Sequence, residues 1–312
     1  MGKQPLRVEQ QPPRRGQGDE KMENLVFHYT KMDALPKIFL PKECEESEEC
    51  KESKKCKEGN IKLRFTNIRY LNDKSEGLVF KNFFEKYKKE IFDNLPKDLP
   101  ENLTKGLLEE IFNGQITEDM INFGNKYVLS TSNLIDSFVF WNKEYAGLDG
   151  VAIIFDEGRL LKLENSNFLL RDITYVSLCD KEGFIKDIAS NIFGNFNIEK
   201  ALGMEYSSKE ISLSIADIIS CIYKHKAWEH EKEMRMVKIV SDTDADVDFN
   251  NNKVSCFHYE YFDKSVVRAI MLGPECNDEQ VKAIKKYLDK NGYTDIRVGK
   301  SRAYEFLNSD KL

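Results

Sequence analysis

An α+β fold, with a mixed or antiparallel sheet of short strands at its core, is predicted by three observations. Short apolar or alternating runs recur along the chain of 312 residues. Segments with helical apolar spacing separate them irregularly, without the steady strand–helix alternation of a doubly wound parallel sheet. No internal repeat and no glycine-rich phosphate loop is present, so solenoid and dinucleotide-wound architectures are not expected.

Taken in order, Leu25–Thr30 reads as a first strand, and a short helix follows near Ala34–Phe39. Ile61–Thr66 alternates apolar and polar residues, as a half-buried strand does. Asp73-Lys-Ser-Glu76 has the pattern of a capping box. The helix it opens carries Phe80, Phe83, Phe84, Tyr87 and Ile91 and should end near Leu95-Pro96. Further helices are expected at Thr104–Phe112 and Thr117–Lys126, and again at Ser137–Tyr145 and Lys181–Phe193. Another capping pattern at Ser207–Glu210 leads into the stripe Ile211, Ile215, Ile218, Ile219 and Ile222. Strands are expected at Tyr127–Ser132, Gly150–Phe155, Phe168–Val176, Met236–Val240, Val254–Tyr259, Val266–Leu272 and Asp295–Val298. Asn277 should cap a last helix over Glu279–Lys290, which Gly292 stops. Residues 1–21 read as a disordered tail or leader, and residues 22–312 as one domain. That domain is expected to carry a charged insert at 42–60 and helical insertions at about 73–126 and 180–225.

A hydrophobic content of 41%, a charged content of 32% and a net charge of −6 describe a globular chain. Acids and bases are mixed, so the clustered basic face that duplex nucleic acid requires is not expected. No apolar run is long enough to span a bilayer, and the first residues lack the apolar centre of a secretory signal. Seven scattered cysteines fit reduced thiols in a cytoplasm. Three of them, Cys44, Cys50 and Cys56, recur every six residues within the Glu/Lys-rich insert, wider than the close pairs of zinc sites. The four histidines show no metal-ligand spacing, so no metal is expected. Neither a serine-hydrolase elbow nor a thiol-protease signature occurs. A magnesium nuclease would need acids such as Asp73 and Glu231 gathered beside a basic groove.

The densest chemistry lies in Lys224-His-Lys-Ala-Trp-Glu-His-Glu-Lys-Glu-Met-Arg-Met236. As a helix, this segment would align Trp228, Glu231 and Arg235; as a strand, Glu229, Glu231, Glu233 and Arg235. Either reading leaves open a salt-bridged junction or a carboxylate site. His28, Tyr29 and Thr30 end the first strand, where a histidine is either a core hydrogen-bonding group or a polar group offered to a ligand. Asn72 and Asp73 precede a helix start, and capping accounts for Asp73 but not for Asn72. Trp141 and Tyr145 are read either as core residues or as stacking partners of a nucleotide ring.

His28-Tyr-Thr30, Leu71-Asn-Asp73 with Glu76, Leu129-Ser-Thr-Ser132, Trp141–Tyr145 with Gly150 and Phe155, Lys226-Ala-Trp228 with Glu231, Glu233 and Arg235, and Ile270-Met-Leu-Gly273 occur in a recognisable order. From about Met22 to Lys300 the chain resembles the bacterial domain-of-unknown-function family 2971, apart from its cysteine-bearing insert. It also resembles the ADP-ribosyltransferase superfamily. Ser130-Thr-Ser132 matches that group's Ser-Thr-Ser strand, Glu231-Lys-Glu233 its late Glu-x-Glu, and His28 or Arg64 its first-strand residue.

The second resemblance implies an NAD-consuming cytoplasmic transferase, a toxin or phage-defence effector, with NAD as substrate and a macromolecular acceptor. It implies that Glu233 holds the nicotinamide ribose and stabilises the transition state, while Glu231 positions or deprotonates the acceptor. His28, Tyr29, Asn72, Asp73, Ser130, Trp141, Tyr145 and Arg235 then form the dinucleotide pocket. The alternative is a non-catalytic nucleotide- or partner-binding module, with Glu231 and Arg235 as structural groups.

Overall fold

The computed structural model of the protein describes residues 25–40, 60–71, 73, 78–93, 126–177, 180–186, 221–239, 246–250 and 253–303. The expected tail at 1–21, the cysteine-bearing insert up to residue 59, Asn72, Glu76, the helix expected at 104–112, the one expected at 117–126 apart from Lys126, which is in a strand, the segment expected from 207 to 222 up to residue 220, and the end of the helix expected at 181–193 lie outside them.

Twelve strands are described: β1 (Leu25–Thr30), β2 (Asn60–Asn67), β3 (Lys126–Ser132), β4 (Val151–Asp156), β5 (Leu169–Asp172), β6 (Thr174–Val176), β7 (Tyr223–His225), β8 (Glu233–Ile239), β9 (Asp246–Asn250), β10 (Lys253–Asp263), β11 (Val267–Leu272) and β12 (Arg297–Lys300). Helices among the described residues include α1 (Leu35–Ile38), α2 (Leu78–Asp93), α3 (Glu157–Asn167) and α4 (Asp278–Lys290), and residues 181–186 are helical as well. Ten strands form one sheet along the path β12-β11-β4-β1-β3-β2-β10-β9, with β8 bonded to β3 and β5 bonded to β8. The pairing is antiparallel except between β11 and β12; β6 and β7 form a separate parallel pair. The chain is thus α+β with a mostly antiparallel mixed sheet, as the sequence predicts.

The period of two along each strand divides the sheet into two chemical faces. One face presents Val26, Leu63, Phe65, Leu129, Ile153, Phe155, Met234, Met236 and Ile270 to a core completed by Leu35, Leu160 and Leu288 from the helices. The opposite face presents Tyr29, Ala152 and Met271 to a second, smaller cluster around Trp141, Ala146 and Ala303. Glu233 and Arg235 alternate with Met234 and Met236, and therefore share this second face.

β3 is the strand on which the sheet divides. Its whole length pairs with β8, from Lys126–Ile239 to Ser132–Glu233. Along the other edge it meets β1 at Ser132–Phe27 and β2 at Val128–Thr66 and Tyr127–Asn67. The two neighbours diverge from β3 between those points, and the opening lies beside Ser130.

Several expectations are met closely. Asn277 caps α4 in a full capping box with Gln280, and β1 spans the expected residues. Others need correction. Ser137–Tyr145 is a series of turns, not a helix. Asp136 enters it in the left-handed region at φ 48°. The Ser137 and Asn142 side chains then bond nearby backbone N–H groups, of Val139 at 3.4 Å and Glu144 at 2.8 Å. Such local bonds compete with the helical ladder. The strand expected at 168–176 is two strands: β5 runs along β8, its register ending on the bond from Ile173 N–H to the Glu233 carbonyl at 3.0 Å, and β6 then pairs with β7 instead. α3 is capped by the Asp156 carboxylate, which accepts from Arg159 N–H at 2.9 Å, a signal the sequence does carry.

Two glycines hold the turn series against the sheet. A Cβ on Gly150 would lie 2.4 Å from the Ala146 carbonyl oxygen, and one on Gly273 2.3 Å from that of Leu148. A Cβ on Gly299 would meet nothing within 4 Å. Gly273→Ala is expected to lower the unfolding free energy by at least about 2 kcal/mol, because backbone must move to admit the methyl group. Gly299→Ala should change it by less than about 0.5 kcal/mol. Urea unfolding of the two variants checks this contrast.

Candidate active site

β8 begins just after a 3-10 turn over Lys226–Glu231, and Lys232 joins them in the left-handed conformation at φ 44°. This reversal folds the turn back along the strand, so Glu231 and Glu233 both reach the Lys224 side chain on β7. Lys224 Nζ lies 2.6 Å from Glu231 Oε2 and 3.1 Å from Glu233 Oε2. Arg235 grips Glu233 with two donors, Nε to Oε1 at 2.6 Å and Nη2 to Oε2 at 3.0 Å. Its Nη1 donates to the Cys221 carbonyl at 2.8 Å. The four side chains are between 1% and 6% exposed, so water does not screen these contacts.

Two glutamates with one lysine and one arginine carry no net charge together, which is how such a group is tolerated inside a protein. Burial alone would push the Glu233 carboxyl up, but the Arg235 and Lys224 cations and a hydrogen bond from Ser130 outweigh it. The group is held at about 2. The backbone is fastened as well: Ser132 Oγ donates to the Glu231 carbonyl at 2.6 Å, and Glu233 N–H donates to the Tyr175 hydroxyl at 2.7 Å.

A cleft of about 200 Å³ opens above this quartet. Ser130, Glu233 and Arg235 line it from the β3–β8 pair, and Phe27, His28 and Tyr29 from β1. The turn series contributes Phe140, Glu144 and Tyr145, and Leu71, Asp73 and Trp228 line it as well. The Tyr29 and Phe140 rings stack at 4.5 Å, and Tyr145 meets Phe140 edge-on at 5.2 Å. The Tyr145 hydroxyl donates to Glu231 Oε1, so each oxygen of Glu231 has a donor. Burial first, and then the bond to Glu231, push the Tyr145 phenol well above its ordinary range and keep it protonated. Lys224 Nζ also sits 4.9 Å from the centre of the Trp228 ring.

His28 fills the opening between β1 and β2. Its Nδ1–H donates to the Ser130 carbonyl at 2.8 Å, since a carbonyl can only accept. Burial lowers its pKa, with the bond to Ser130 opposing part of the shift, so the ring is neutral near pH 7 and Nε2 is an acceptor.

Of the residues singled out in the sequence, His28, Tyr29, Asp73, Ser130, Tyr145, Glu231, Glu233 and Arg235 line this one cleft. Trp141 is not among its lining residues: it is fully buried behind the wall, in contact with Tyr29, and its indole N–H donates to Asp136 at 2.8 Å. Asn72 lies outside the described residues. Sequence reasoning did not single out Lys224 as a site residue, since a lysine ordinarily reads as solvated. It also passed over Phe27 and Phe140, which read as plain core residues. Among the described residues no cluster of side chains is suited to a metal ion, and no helix is long and apolar enough to cross a membrane.

Removal of one member of the quartet leaves an uncompensated buried charge. Glu233→Gln is therefore expected to cost about 3–5 kcal/mol of stability at neutral pH. The Glu233 pKa is depressed from 4.5 to about 2, so its contribution is complete above the unfolded value and is lost as pH falls from there towards about 2. The gap between wild type and variant in chemical denaturation should narrow across that window. His28 titrates with the same sign at higher pH. Its folded pKa lies below 6.5, so the unfolded chain takes up the proton first and stability falls as pH drops below that value. Relative to His28→Gln, the wild type should lose stability as pH falls through 6.5; a constant difference would exclude burial of the neutral ring.

The profile of the family described as "Protein of unknown function (DUF2971)" matches residues 141–236. The matched stretch runs from the wall of the cleft to the end of the charged quartet. No curated protein and no solved structure matches the chain.

Proposed function

We propose that the protein transfers the ADP-ribosyl group of NAD to a macromolecular acceptor, with the nicotinamide–ribose half of NAD seated in this cleft. The observation that carries the proposal is a pair of buried carboxylates, Glu231 and Glu233, beneath an aromatic wall. Four carboxylates line the described cleft (Asp73, Glu144, Glu231 and Glu233) against two cations, Lys224 and Arg235. This excess suits a ligand whose ring is cationic and whose transition state carries positive charge at the sugar. The rings of Phe27, Tyr29 and Phe140 offer a flat group a stacking surface. His28 Nε2 and the Ser130 hydroxyl are suited to sugar hydroxyls. A cleft of about 200 Å³ is smaller than the roughly 300–1,000 Å³ typical of whole-ligand pockets. It suits one ring with its ribose, the rest of the dinucleotide extending towards the mouth.

The ion pairing divides the two glutamates by role. Both oxygens of Glu233 are taken by Arg235, and one also by Lys224, which makes Glu233 the frame. Glu231 has one donor on each oxygen and keeps a further lone pair on each for a ligand hydroxyl. In the proposed reaction the bond between ribose C1′ and the nicotinamide nitrogen breaks, and its electron pair leaves with neutral nicotinamide. The acceptor forms the new bond to C1′ and gives up its proton to Glu231. Glu231 thus keeps the role towards the acceptor that the Glu-x-Glu resemblance implies for it, and its remaining lone pairs also suit the ribose hydroxyl that the resemblance assigns to Glu233. Such an activity fits a cytoplasmic toxin or phage-defence effector.

A second reading, a non-catalytic nucleotide-binding module, is favoured by the mutual pairing of all four charged side chains, which a purely structural network would also display. Nicotinamide release from NAD in the presence of cell lysate separates the two. Transfer predicts release by the wild type and a loss of at least about a hundredfold in Glu231→Gln, with NAD affinity changed only a few-fold. Binding without release by the folded wild type would establish the module instead.

A further inference from the structure

We infer that Asp136 is a positioning residue for this cleft: its carboxylate clasps the turn series to the C-terminal end of the sheet and so sets Tyr145 against Glu231. The cleft wall, residues 134–149, has no regular ladder of its own, yet it must place Phe140, Glu144 and Tyr145 on one side of a narrow opening. Three donors converge on Asp136. Trp141 Nε1 donates to Oδ1 at 2.8 Å, Ser301 Oγ donates to the same oxygen at 2.5 Å, and Arg302 N–H donates to Oδ2 at 2.7 Å. Ser301 Oγ in turn accepts from Ala303 N–H at 3.1 Å, and Ser301 N–H bonds the Leu272 carbonyl at 2.7 Å. The clasp therefore leads from the wall into β11.

The geometry is specific to this side chain. Asp136 holds a left-handed backbone, at φ 48°, which aspartate tolerates better than most residues. That conformation starts the turn series and turns the carboxylate under the Trp141 indole. Trp141 then packs with Ala146, Ala152 and Ala303, while its neighbour Phe140 stacks on Tyr29 at the cleft. The Tyr29 hydroxyl donates to the Leu134 carbonyl at 2.8 Å and accepts from Ser137 N–H at 3.4 Å, fastening the near end. Gly150 and Gly273 admit the far end, where Glu275 N–H donates to the Leu148 carbonyl at 3.0 Å. Held at both ends and clasped between them, the wall presents the Tyr145 hydroxyl to Glu231 without a ligand. Asp136 lies outside the lining of the cleft and acts through Trp141, Phe140 and Tyr145.

The functional part of this inference rests on the proposed reaction, so its test has two readouts. Asp136→Ala and Asp136→Asn are compared with wild type by hydrogen exchange and by nicotinamide release from NAD. An asparagine oxygen in place of Oδ1 keeps the bonds from Trp141 and Ser301, but its amide faces the Arg302 N–H. Exchange within 137–146 should quicken by at least about tenfold in the alanine variant, as expected for lost bonds to a charged group, and less in the asparagine variant. Exchange of β3 and β8 should stay unchanged. Turnover should fall by at least about tenfold in Asp136→Ala with little change in KM, and should recover partly in Asp136→Asn. Unchanged exchange in 137–146, or unchanged turnover, would overturn the inference. If the wild type releases no nicotinamide, the proposed reaction fails, and the exchange pattern alone decides whether the clasp sets the wall.

Discussion

A lysine, two glutamates and an arginine closed off from water form the interaction on which the rest of this structure depends. Lys224, Glu231, Glu233 and Arg235 come from β7, the end of a 3-10 turn and β8, and their contacts hold those three pieces together. In a low-dielectric site each ionic contact is strong, but only because every desolvated charge has a partner. A well-packed apolar core would be at least as stable in the same space. The four charges are better understood as keeping two carboxylates fixed at the floor of a cleft.

The sheet supplies the other half of the arrangement. Alternation along β8 sends Met234 and Met236 into the main core and Glu233 and Arg235 to the opposite face. The divergence of β1 and β2 from β3 makes an opening in the sheet beside Ser130, which His28 bridges by bonding the Ser130 carbonyl. The wall of turns then closes one side of the opening and brings Tyr145 to Glu231, 86 residues away in the chain. Fold and site thus share their main contacts, and a cleft of this kind is preorganised before any ligand arrives.

Much of this was legible in the sequence where the signal is local. The apolar alternation of β2, the buried run of β4 and the Asn277 cap of α4 each depend on a few neighbouring residues. The set His28, Ser130, Glu231, Glu233 could be assembled from short motifs. What escaped was decided by contacts distant in sequence or by competition within a turn. Ser137–Tyr145 carries helical spacing, yet Asp136, Ser137 and Asn142 divert its backbone into side-chain bonds. Trp141, an aromatic residue beside a suspected site, proved to be a core residue bound to Asp136. Lys224 could not be read as buried, because nothing in the local sequence shows two glutamates folding back onto it.

Whether the excess of carboxylates in the cleft selects a cationic ring, as proposed, can be measured with NAD and NADH. They differ in the ring's charge while sharing the ribose, diphosphate and adenosine. Calorimetric titration of the intact protein with each, at equal ionic strength, is predicted to show NAD bound at least about tenfold more tightly than NADH. Equal affinities, tighter binding of NADH, or no binding of either would rule out the proposed selection of a cationic ring.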